Sequence, residues 1–337
     1  MNILYTLNDK FVPQVAAGIC SVCENNKNID EINFYLISDG ISNENKLKLN
    51  SFVEGYNRKL TIMELGNIKE YIDFEFDTTG WNQIVLARLI LDKFLPQSVN
   101  KVLYLDGDTI VRGSLGDLWN TDLTEHVIAA SIEPTMDKKR KVNLGLEEKP
   151  YYNAGVLLIN LDKWRFDKAG KRILDYYKAN KGNLFANDQD AINGALNDQI
   201  LTMSPTYNFY NIFYTYSYKF LSGLMKPVEY IDENVYRDAV CNPKIIHYLG
   251  EERPWRIGNH HKYRDDYLKY LSMTPWDGIG MENGWKLYFI CWDIFNFLTK
   301  PFPGLRYKII NSLIPTFIKH RAKKNKKGDK KWIQKFL

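Results

Sequence analysis

The sequence predicts an α/β fold in which helices cover both faces of a mostly parallel central sheet, with a small helical extension at the C-terminus. Short apolar runs alternate with helical patterns along the first third of the chain, which is typical of this architecture. The run Val102–Leu105 is apolar at consecutive positions, as in a strand buried on both faces. After Pro254 the pattern becomes aromatic and helical. We therefore expect two parts, residues 1–262 and 263–337.

The first elements alternate strictly. Apolar side chains from Val12 to Val22 recur at helical spacing, and Ser42 can cap the helix that follows the second strand. This order of strand, helix, strand, helix, strand predicts parallel neighbours. The predicted strands are 3–7, 32–37, 60–65, 101–106, 156–161 and 244–248, and the later helices are 84–94, 167–180 and 188–196.

The composition is that of a globular protein, with 45% hydrophobic and 25% charged residues among 337. The net charge of +5 is local, because residues 319–337 contain nine Lys or Arg and only Asp329 as an acid. The preceding residues carry 36 basic against 39 acidic groups. The basic tail therefore has its own partner or is simply solvated, and we predict no nucleic-acid partner.

The chain is expected to be cytoplasmic, because Met1 leads into a strand without the pattern of a secretory signal. The apolar segment Trp285–Leu298 is shorter than the about 20 residues that a membrane span needs. Together with the basic tail, residues 285–337 suit an anionic membrane surface. A peripheral position at the inner face of the plasma membrane is therefore the alternative location.

Asp106, Gly107 and Asp108 follow the buried strand at 101–106. Residues two apart in an extended chain point the same way, so the two carboxylates can reach one divalent cation. Gly107 leaves room for a ligand across the turn. Ligands of α/β sheets collect at such strand ends. The alternative is an ordinary turn, for which this tripeptide is also well suited.

Two other kinds of site find no support. No glycine-rich phosphate loop follows any strand, which argues against dinucleotide and P-loop chemistry. Cys20 and Cys23 have the spacing of a redox pair, but they fall within a helical apolar pattern. We favour core packing for these two thiols.

Five sequence blocks resemble the bacterial family 8 glycosyltransferases, most closely the lipooligosaccharide galactosyltransferases and more distantly glycogenin. The resemblance covers roughly residues 1–270. It implies a GT-A fold with residues 1–262 as the catalytic domain. The blocks, which stand in the family order, are Lys101–Arg112, Leu118–Asp122, Tyr152–Asn160, Asn187–Asp190 and His247–Gly250.

The resemblance implies that Asp106, Asp108 and the distant His247 hold Mn²⁺, with Mg²⁺ as the alternative, against the diphosphate of a UDP-sugar. Imidazole together with carboxylates suits Mn²⁺ better than an all-oxygen site would. His247 could instead be a hydrogen-bonded core histidine. The nucleotide contacts implied are Thr6, Asn8, Asp106, Gly107, Asp108, Gly250 and Arg253. Relatives commonly have Asp at position 8 and Lys at position 253, so these contacts differ in detail, and Arg253 could be a surface charge.

For the donor sugar, the resemblance implies Arg88, Asn153, Ala154, Asp188 and Gln189, of which Asp188 and Gln189 act in catalysis. Relatives retain the anomeric configuration. Because an amide is a poor nucleophile, we expect Gln189 to stabilise positive charge at the anomeric carbon while UDP departs on the face that the acceptor attacks. The alternatives are a helix cap for Asp188 and a turn for Asn153.

The expected function is therefore retaining transfer of a hexose, with galactose favoured, from a UDP-sugar to a glycan acceptor. The acceptor is a surface polysaccharide, a glycolipid or a glycoprotein. A UDP-glucose donor and a non-catalytic carbohydrate-binding protein on the same fold are the alternatives. The aromatic segment Tyr207–Phe220 is expected to line the acceptor cleft or to be a packed loop, and residues 263–337 to bind acceptor or membrane.

Overall fold

The computed structural model describes residues 1–78, 80–316 and 318. The basic tail 319–337 lies outside the described residues, so its membrane role stays a prediction. The strands are β1 (Asn2–Asn8), β2 (Asn33–Asp39), β3 (Lys59–Glu64), β4 (Lys101–Leu105), β5 (Thr109–Val111), β6 (Ile128–Ala130), β7 (Val156–Asn160), β8 (Ile200–Thr202) and β9 (Ile245–His247).

The helices predicted around 12–22 and at 188–196 are observed close to these bounds, and residues 303–316 form a further helix at the C-terminus. The α-helices are α1 (Val12–Asn25), α2 (Asn43–Glu54), α3 (Gly116–Trp119), α4 (Lys138–Asn143), α5 (Leu161–Phe166), α6 (Ala169–Ala179), α7 (Asn187–Leu196), α8 (Ile212–Thr215), α9 (Tyr218–Met225), α10 (Glu233–Cys241), α11 (Arg264–Leu271) and α12 (Lys286–Thr299).

Seven strands form the central sheet, in the order β3-β2-β1-β4-β7-β6-β8. β1 pairs in parallel with β2 and β4, β2 with β3, and β6 with β8. Only β7 among the described strands of this sheet runs against its neighbours β4 and β6. The predicted mostly parallel sheet is therefore confirmed.

Successive side chains of each central strand point to opposite faces of the sheet and pack into two different hydrophobic cores, as a strand buried on both faces requires. On β1, Ile3 and Tyr5 pack on the side of α1, whereas Leu4 packs on the other side, against the 83–93 segment and Tyr104. Cys20 and Cys23 are buried free thiols of α1, and burial raises the pKa of Cys23 to about 12. Their predicted packing role is confirmed.

A second sheet, which the sequence patterns did not predict, consists of the antiparallel strands β5 and β9. Its register places Thr109 opposite His247, and the amide of Tyr248 donates to the carbonyl of Asp108 at 2.9 Å. Because β5 begins directly after Asp108, this pairing brings His247 to the Asp-Gly-Asp turn across 139 residues of sequence.

Two helices differ from prediction. Residues 83–93 form a 3-10 helix with a break at Ile90 instead of an α-helix, and the helix predicted at 167–180 follows a separate α5. The φ of Lys168 is 50°, and this non-helical residue separates α6 from α5. In the C-terminal part, Tyr267 and Leu271 of α11 join the core beside α1. The division at residue 262 stays a prediction.

Within the described residues, none of the helices has the length and apolar character required to traverse a bilayer.

Candidate active site

Asp106, Asp108 and His247 converge at the carboxyl end of β4. Their ligand atoms all lie within 4.8 Å of one another. His247 Nε2 is 3.3 Å from Asp108 Oδ1 and 3.6 Å from Asp106 Oδ2. Two carboxylate oxygens and one imidazole nitrogen form a donor set that suits Mn²⁺. The three residues named from the sequence are thus brought together.

The orientation of His247 is set by a buried amide. Asn208 donates through Nδ2 to Asn153 Oδ1 at 2.9 Å, so its own Oδ1 faces His247 Nδ1 at 2.9 Å and accepts the ring proton. In the neutral imidazole, the form that binds a metal, this arrangement leaves Nε2 without a hydrogen, and Nε2 has no hydrogen-bond partner among the described residues. A buried lone pair aimed at two carboxylates fits a metal ion, and a hydrogen bond from the other ring nitrogen is the usual way to orient a metal-binding imidazole.

Two glycines make room for this cluster. A Cβ on Gly155 would meet Cε1 of His247 at 2.0 Å, so any larger residue would displace the ring. A Cβ on Gly107 would lie 3.1 Å from Val15 and 3.2 Å from Phe11. The contact at Gly107 is with protein side chains, whereas the sequence suggested space for a ligand. Gly155 was missed, although it lies within the Tyr152–Asn160 block.

Asp108 is held in its charged form. Burial opposes its ionisation, but the neighbouring His247 and Arg253 outweigh burial and lower its pKa. The guanidinium of Arg253 is 3.3 Å from Asp108 Oδ2 and is itself largely buried between the rings of Phe11 and Trp255. Arg253 is therefore a positive group beside the metal cluster rather than a free surface charge.

Arg88 joins three parts of the site. Its guanidinium donates to Asp106 Oδ1 at 2.7 Å and to the carbonyl of Ala154 at 2.6 Å. Its Nε is 2.8 Å from Asp188 Oδ2. The Arg88 side chain is only 7% exposed, so these contacts are protected from solvent screening. The sequence left open whether Arg88 orients Asp106 or the sugar, and the structure places it on Asp106.

Asp188 lies in the first turn of α7, while Ala186 occupies the N-cap position. The cap alternative is therefore wrong. Burial raises the pKa of Asp188 to about 6, with a further rise from Asp106, and Arg88 acts in the opposite direction. A carboxyl group with such a perturbed pKa in a cleft is typical of functional sites.

Gln189 is held at both ends of its amide. Its Oε1 accepts from the amide of Ala154 at 2.9 Å, and its Nε2 donates to the hydroxyl of Tyr151 at 3.1 Å. Tyr151 in turn donates to the buried Asp190, which also accepts from Arg140 at 3.1 Å. Tyr151 and Asp190 were not singled out from the sequence. They position Gln189 without lining the same cleft.

Asn153 is both a turn residue and a part of this network. Its Oδ1 accepts from the amide of Gly155 at 3.0 Å, and its Nδ2 donates to Glu133 Oε2 at 3.1 Å. Glu133 was also missed, since no motif precedes it. A polar chain thus runs from Glu133 through Asn153 and Asn208 to His247.

A cleft of about 640 Å³ lies over these residues. Its polar wall includes all five residues expected to contact the sugar, together with Glu133 and Gly250, the latter with a φ of 73°. Its opposite wall is apolar and comes from α12 and from Ile309, Ile310, Leu313, Ile314 and Ile318. From the segment Tyr207–Phe220 only Asn211 lines the cleft, and the buried rings pack in the core. The residues that line the cleft and are expected to contact the sugar are Arg88, Asn153, Ala154, Asp188 and Gln189.

Thr6 and Asn8 lie at the carboxyl end of β1, beside β4. Thr6 Oγ1 is 3.0 Å from the hydroxyl of Tyr104, which donates to Asp106 Oδ1 at 2.7 Å. Asn8 Oδ1 is buried without a partner among the described residues. Neither residue lines the large cleft, so their predicted contact with the nucleotide stays a prediction.

The chain matches the model of "Glycosyl transferase family 8" over residues 2–257. General stress protein A of Bacillus subtilis is 25% identical over 285 residues, which span 83% of this chain and 96% of that protein. Lipopolysaccharide 1,2-glucosyltransferase of Escherichia coli is 25% identical over 281 residues, which span 82% of this chain and 79% of that protein.

The crystal structure of galactosyltransferase LgtC in complex with donor and acceptor sugar analogs is similar with a TM-score of 0.70 and 25% identity, over 85% of this chain and 99% of that chain. The GT-A fold inferred from the sequence blocks is thereby confirmed. The chain belongs to glycosyl transferase family 8 and is a glycosyltransferase.

Proposed function

We propose that the protein transfers a hexose, with galactose favoured, from a UDP-sugar to a glycan hydroxyl with retention of configuration, and that it requires Mn²⁺, with Mg²⁺ as a weaker substitute. The observation that carries this proposal is the convergence of the Asp106, Asp108 and His247 ligand atoms within 4.8 Å at the edge of the cleft that Asp188 and Gln189 line. Donor activation and sugar recognition can therefore occur side by side.

The metal cluster is where the diphosphate would lie. Asp106, Asp108 and His247 would hold the cation, and a bound Mn²⁺ would supply Lewis-acid neutralisation of the leaving UDP. Arg253, 3.3 Å from Asp108, adds a second positive group for the phosphates. Thr6 and Asn8 at the end of β1 would contact uracil and ribose. The backbones of Gly107 and Gly250 would lie along the nucleotide.

The donor sugar would be recognised by the polar wall of the cleft. Asp188, when ionised, offers oxygen acceptors for sugar hydroxyls. Arg88 lies 2.8 Å from a carboxylate oxygen of Asp188 and 2.7 Å from one of Asp106, and so fixes the two side chains relative to each other. Asn153 and Ala154 complete this wall. Buried polar groups of this kind discriminate strongly, because a hydroxyl of the wrong stereochemistry leaves them unpaired.

Gln189 would stabilise positive charge at the anomeric carbon while the acceptor attacks on the face from which UDP leaves. The neighbouring carboxylate, Asp190, is 2% exposed and is occupied by Tyr151 and Arg140, so it is a poor candidate for a nucleophile. In the front-face route, departing UDP receives the proton of the acceptor hydroxyl. Intact mass spectrometry after incubation with donor should show no covalent sugar, and an adduct on Gln189 or Asp190 would refute this route.

A panel of UDP-sugars with Mn²⁺ tests the proposal. We expect UDP to raise the thermal midpoint only with a divalent cation, and UDP-galactose to be hydrolysed faster than UDP-glucose. Asp108→Asn and His247→Asn should abolish both effects, whereas Asp198→Asn, an exposed acid far from the cluster, should not. The proposal fails if neither UDP nor any UDP-sugar binds. Faster hydrolysis of UDP-glucose would instead favour the glucosyltransferase reading.

The apolar wall of the cleft supports an acceptor that carries an apolar portion, such as a glycolipid. α12 presents Tyr288, Trp292 and Phe295 to the cleft, while Leu287 and Phe297 on the same helix are 72% and 79% exposed. Such an exposed apolar face, followed by the basic tail, suits the surface of an anionic membrane. A cytoplasmic protein peripheral at the inner membrane face is the corresponding location. A glycoprotein or polysaccharide acceptor remains the alternative.

Flotation with anionic and with neutral liposomes tests the membrane partner. We expect the full chain to float with anionic liposomes, and removal of residues 319–337 or the double change Leu287→Ser and Phe297→Ser to weaken flotation. Phe166→Ser is the matched control, because Phe166 is 87% exposed but lies on α5. Flotation that does not depend on lipid charge would argue against binding of this surface to an anionic membrane.

A further inference from the structure

A second cavity, of about 260 Å³, lies beside the active-site cleft. Glu133 lines both. Tyr151, whose hydroxyl is 3.1 Å from Gln189 Nε2, also lines the second cavity. Only one layer of side chains therefore separates this cavity from the position where the sugar would be transferred.

Lys141 of α4 lines this cavity and is 8% exposed. Among the described residues its ammonium group has no hydrogen bond, ion pair or ring contact; Lys138 and Glu147 act on it only through longer-range charge. Burial lowers the pKa of Lys141. A largely buried ammonium group without a counter-ion is unfavourable, and an anionic ligand would offset this cost. The neighbouring Lys139 on the same helix is exposed and has no such cost.

The acids near the cavity do not neutralise Lys141. Glu133 already accepts from Asn153 at 3.1 Å and from Thr135 at 2.7 Å. Glu147 and Glu148 are exposed at the rim. Lys138 and Lys226 stand at the same rim, where Lys138 Nζ donates to the carbonyl of Lys226 at 3.3 Å. The cavity is thus lined by three lysines and three glutamates, but none of these glutamates forms an ion pair with Lys141.

We propose that this second cavity binds an anionic substituent, a carboxylate or a phosphate, on the acceptor glycan, with Lys141 as its counter-ion. The inference rests on the proposed function, because it takes the adjoining cleft as the site of transfer. The apolar side chains of Met136, Leu224 and Met225 line the same cavity and offer surface for the C–H groups of a sugar ring. The cavity would therefore select acceptors that place an anionic group at Lys141.

The test measures binding of simple anionic sugars without turnover. Glucuronate and glucose 6-phosphate represent the two substituents, and glucose and inorganic phosphate are the neutral and sugar-free controls. We expect at least one anionic sugar to bind about tenfold tighter than glucose by ligand-observed NMR, since a charge-assisted hydrogen bond contributes about 1.5–3 kcal/mol. Lys141→Met should remove that advantage, and Lys139→Met should keep it.

The wild-type protein provides a readout that does not depend on the variant folding. After reductive ¹³C-methylation of its lysines, the signals of Lys141 and Lys101, whose pKa burial lowers, should titrate below the others, and only one of the two should move to a higher pKa when the anionic sugar binds. Equal binding of glucose and both anionic sugars, or unchanged binding by Lys141→Met, would overturn the proposal. Inorganic phosphate binding as tightly as glucose 6-phosphate would overturn the acceptor assignment. The thermal shift with UDP, measured in parallel, reports separately on the proposed function.

Discussion

Gly155 lies directly against the imidazole of His247, so that a Cβ on Gly155 would be 2.0 Å from Cε1 of His247. Gly155→Ala should therefore displace the ring from Asp106 and Asp108 and weaken Mn²⁺ binding about 10- to 100-fold, the usual effect of disturbing a ligand's support. Calorimetric titration with Mn²⁺ measures this effect. Gly223→Ala is the control, because a Cβ there meets no atom within 4 Å. A folded Gly155→Ala variant with normal Mn²⁺ affinity would contradict the assignment of His247.

Arg88 is the counter-ion of two buried carboxylates, Asp106 and Asp188, at 2.7 and 2.8 Å. Arg88→Met leaves both acids without it, and we expect a loss of about 3–5 kcal/mol in the free energy of unfolding. Urea titration measures this loss. The control is Lys171→Met, which breaks an exposed pair with Asp175 and should cost less than about 1 kcal/mol. Similar stability of the two variants would mean that the Arg88 contacts are weak.

Tyr151 positions Gln189 through its hydroxyl group at 3.1 Å. Tyr151→Phe should lower kcat for donor hydrolysis about tenfold, as expected when an oriented group loses its support, and should change KM much less because Gln189 still lies in the cleft. Tyr152→Phe is the matched control, since that hydroxyl contacts Thr202 at 3.0 Å, away from Gln189. A raised KM with unchanged kcat would instead show that Tyr151 contributes to substrate binding.

His261 is buried, and burial lowers its pKa from 6.5 to about 4. Between these values the unfolded chain binds a proton that the folded protein excludes, so stability rises with pH. The contribution is complete above about pH 6.5 and is lost as the pH falls towards 4, by roughly 3 kcal/mol in total.

Urea titrations of wild type and His261→Phe between these pH values measure the effect, and the variant should show a shallower loss of stability. His260→Gln, which removes an imidazole that is 73% exposed and contacts Asp293 at 2.9 Å, is the control for loss of a surface histidine. Parallel curves for wild type and His261→Phe would show that His261 does not titrate in this range.

The sequence predicted the α/β fold well because each of its main signals is local. The apolar run Val102–Leu105 identified the buried strand, and Ser42 does cap α2 by accepting from the amide of Asn45 at 3.3 Å. Short strands such as β6 and β8 were missed, since three residues carry too little periodicity to be recognised. The 3-10 character of residues 83–93 was also missed, because the same apolar spacing suits either helix.

The sequence by itself determined five of the seven strands of the central sheet, the Asp-Gly-Asp turn at a strand end and, through its five ordered blocks, the family and the residues to examine. Only the tertiary structure decided that His247 Nε2 lies 3.3 Å from Asp108, that Arg88 supports Asp106 and that Lys141 is buried beside the cleft. The physical reason is the distance along the sequence over which each signal acts. Strand and helix patterns act over a few residues, whereas the pairing of β5 with β9 and the packing around Gly155 join positions far apart in the chain, where no local pattern records them.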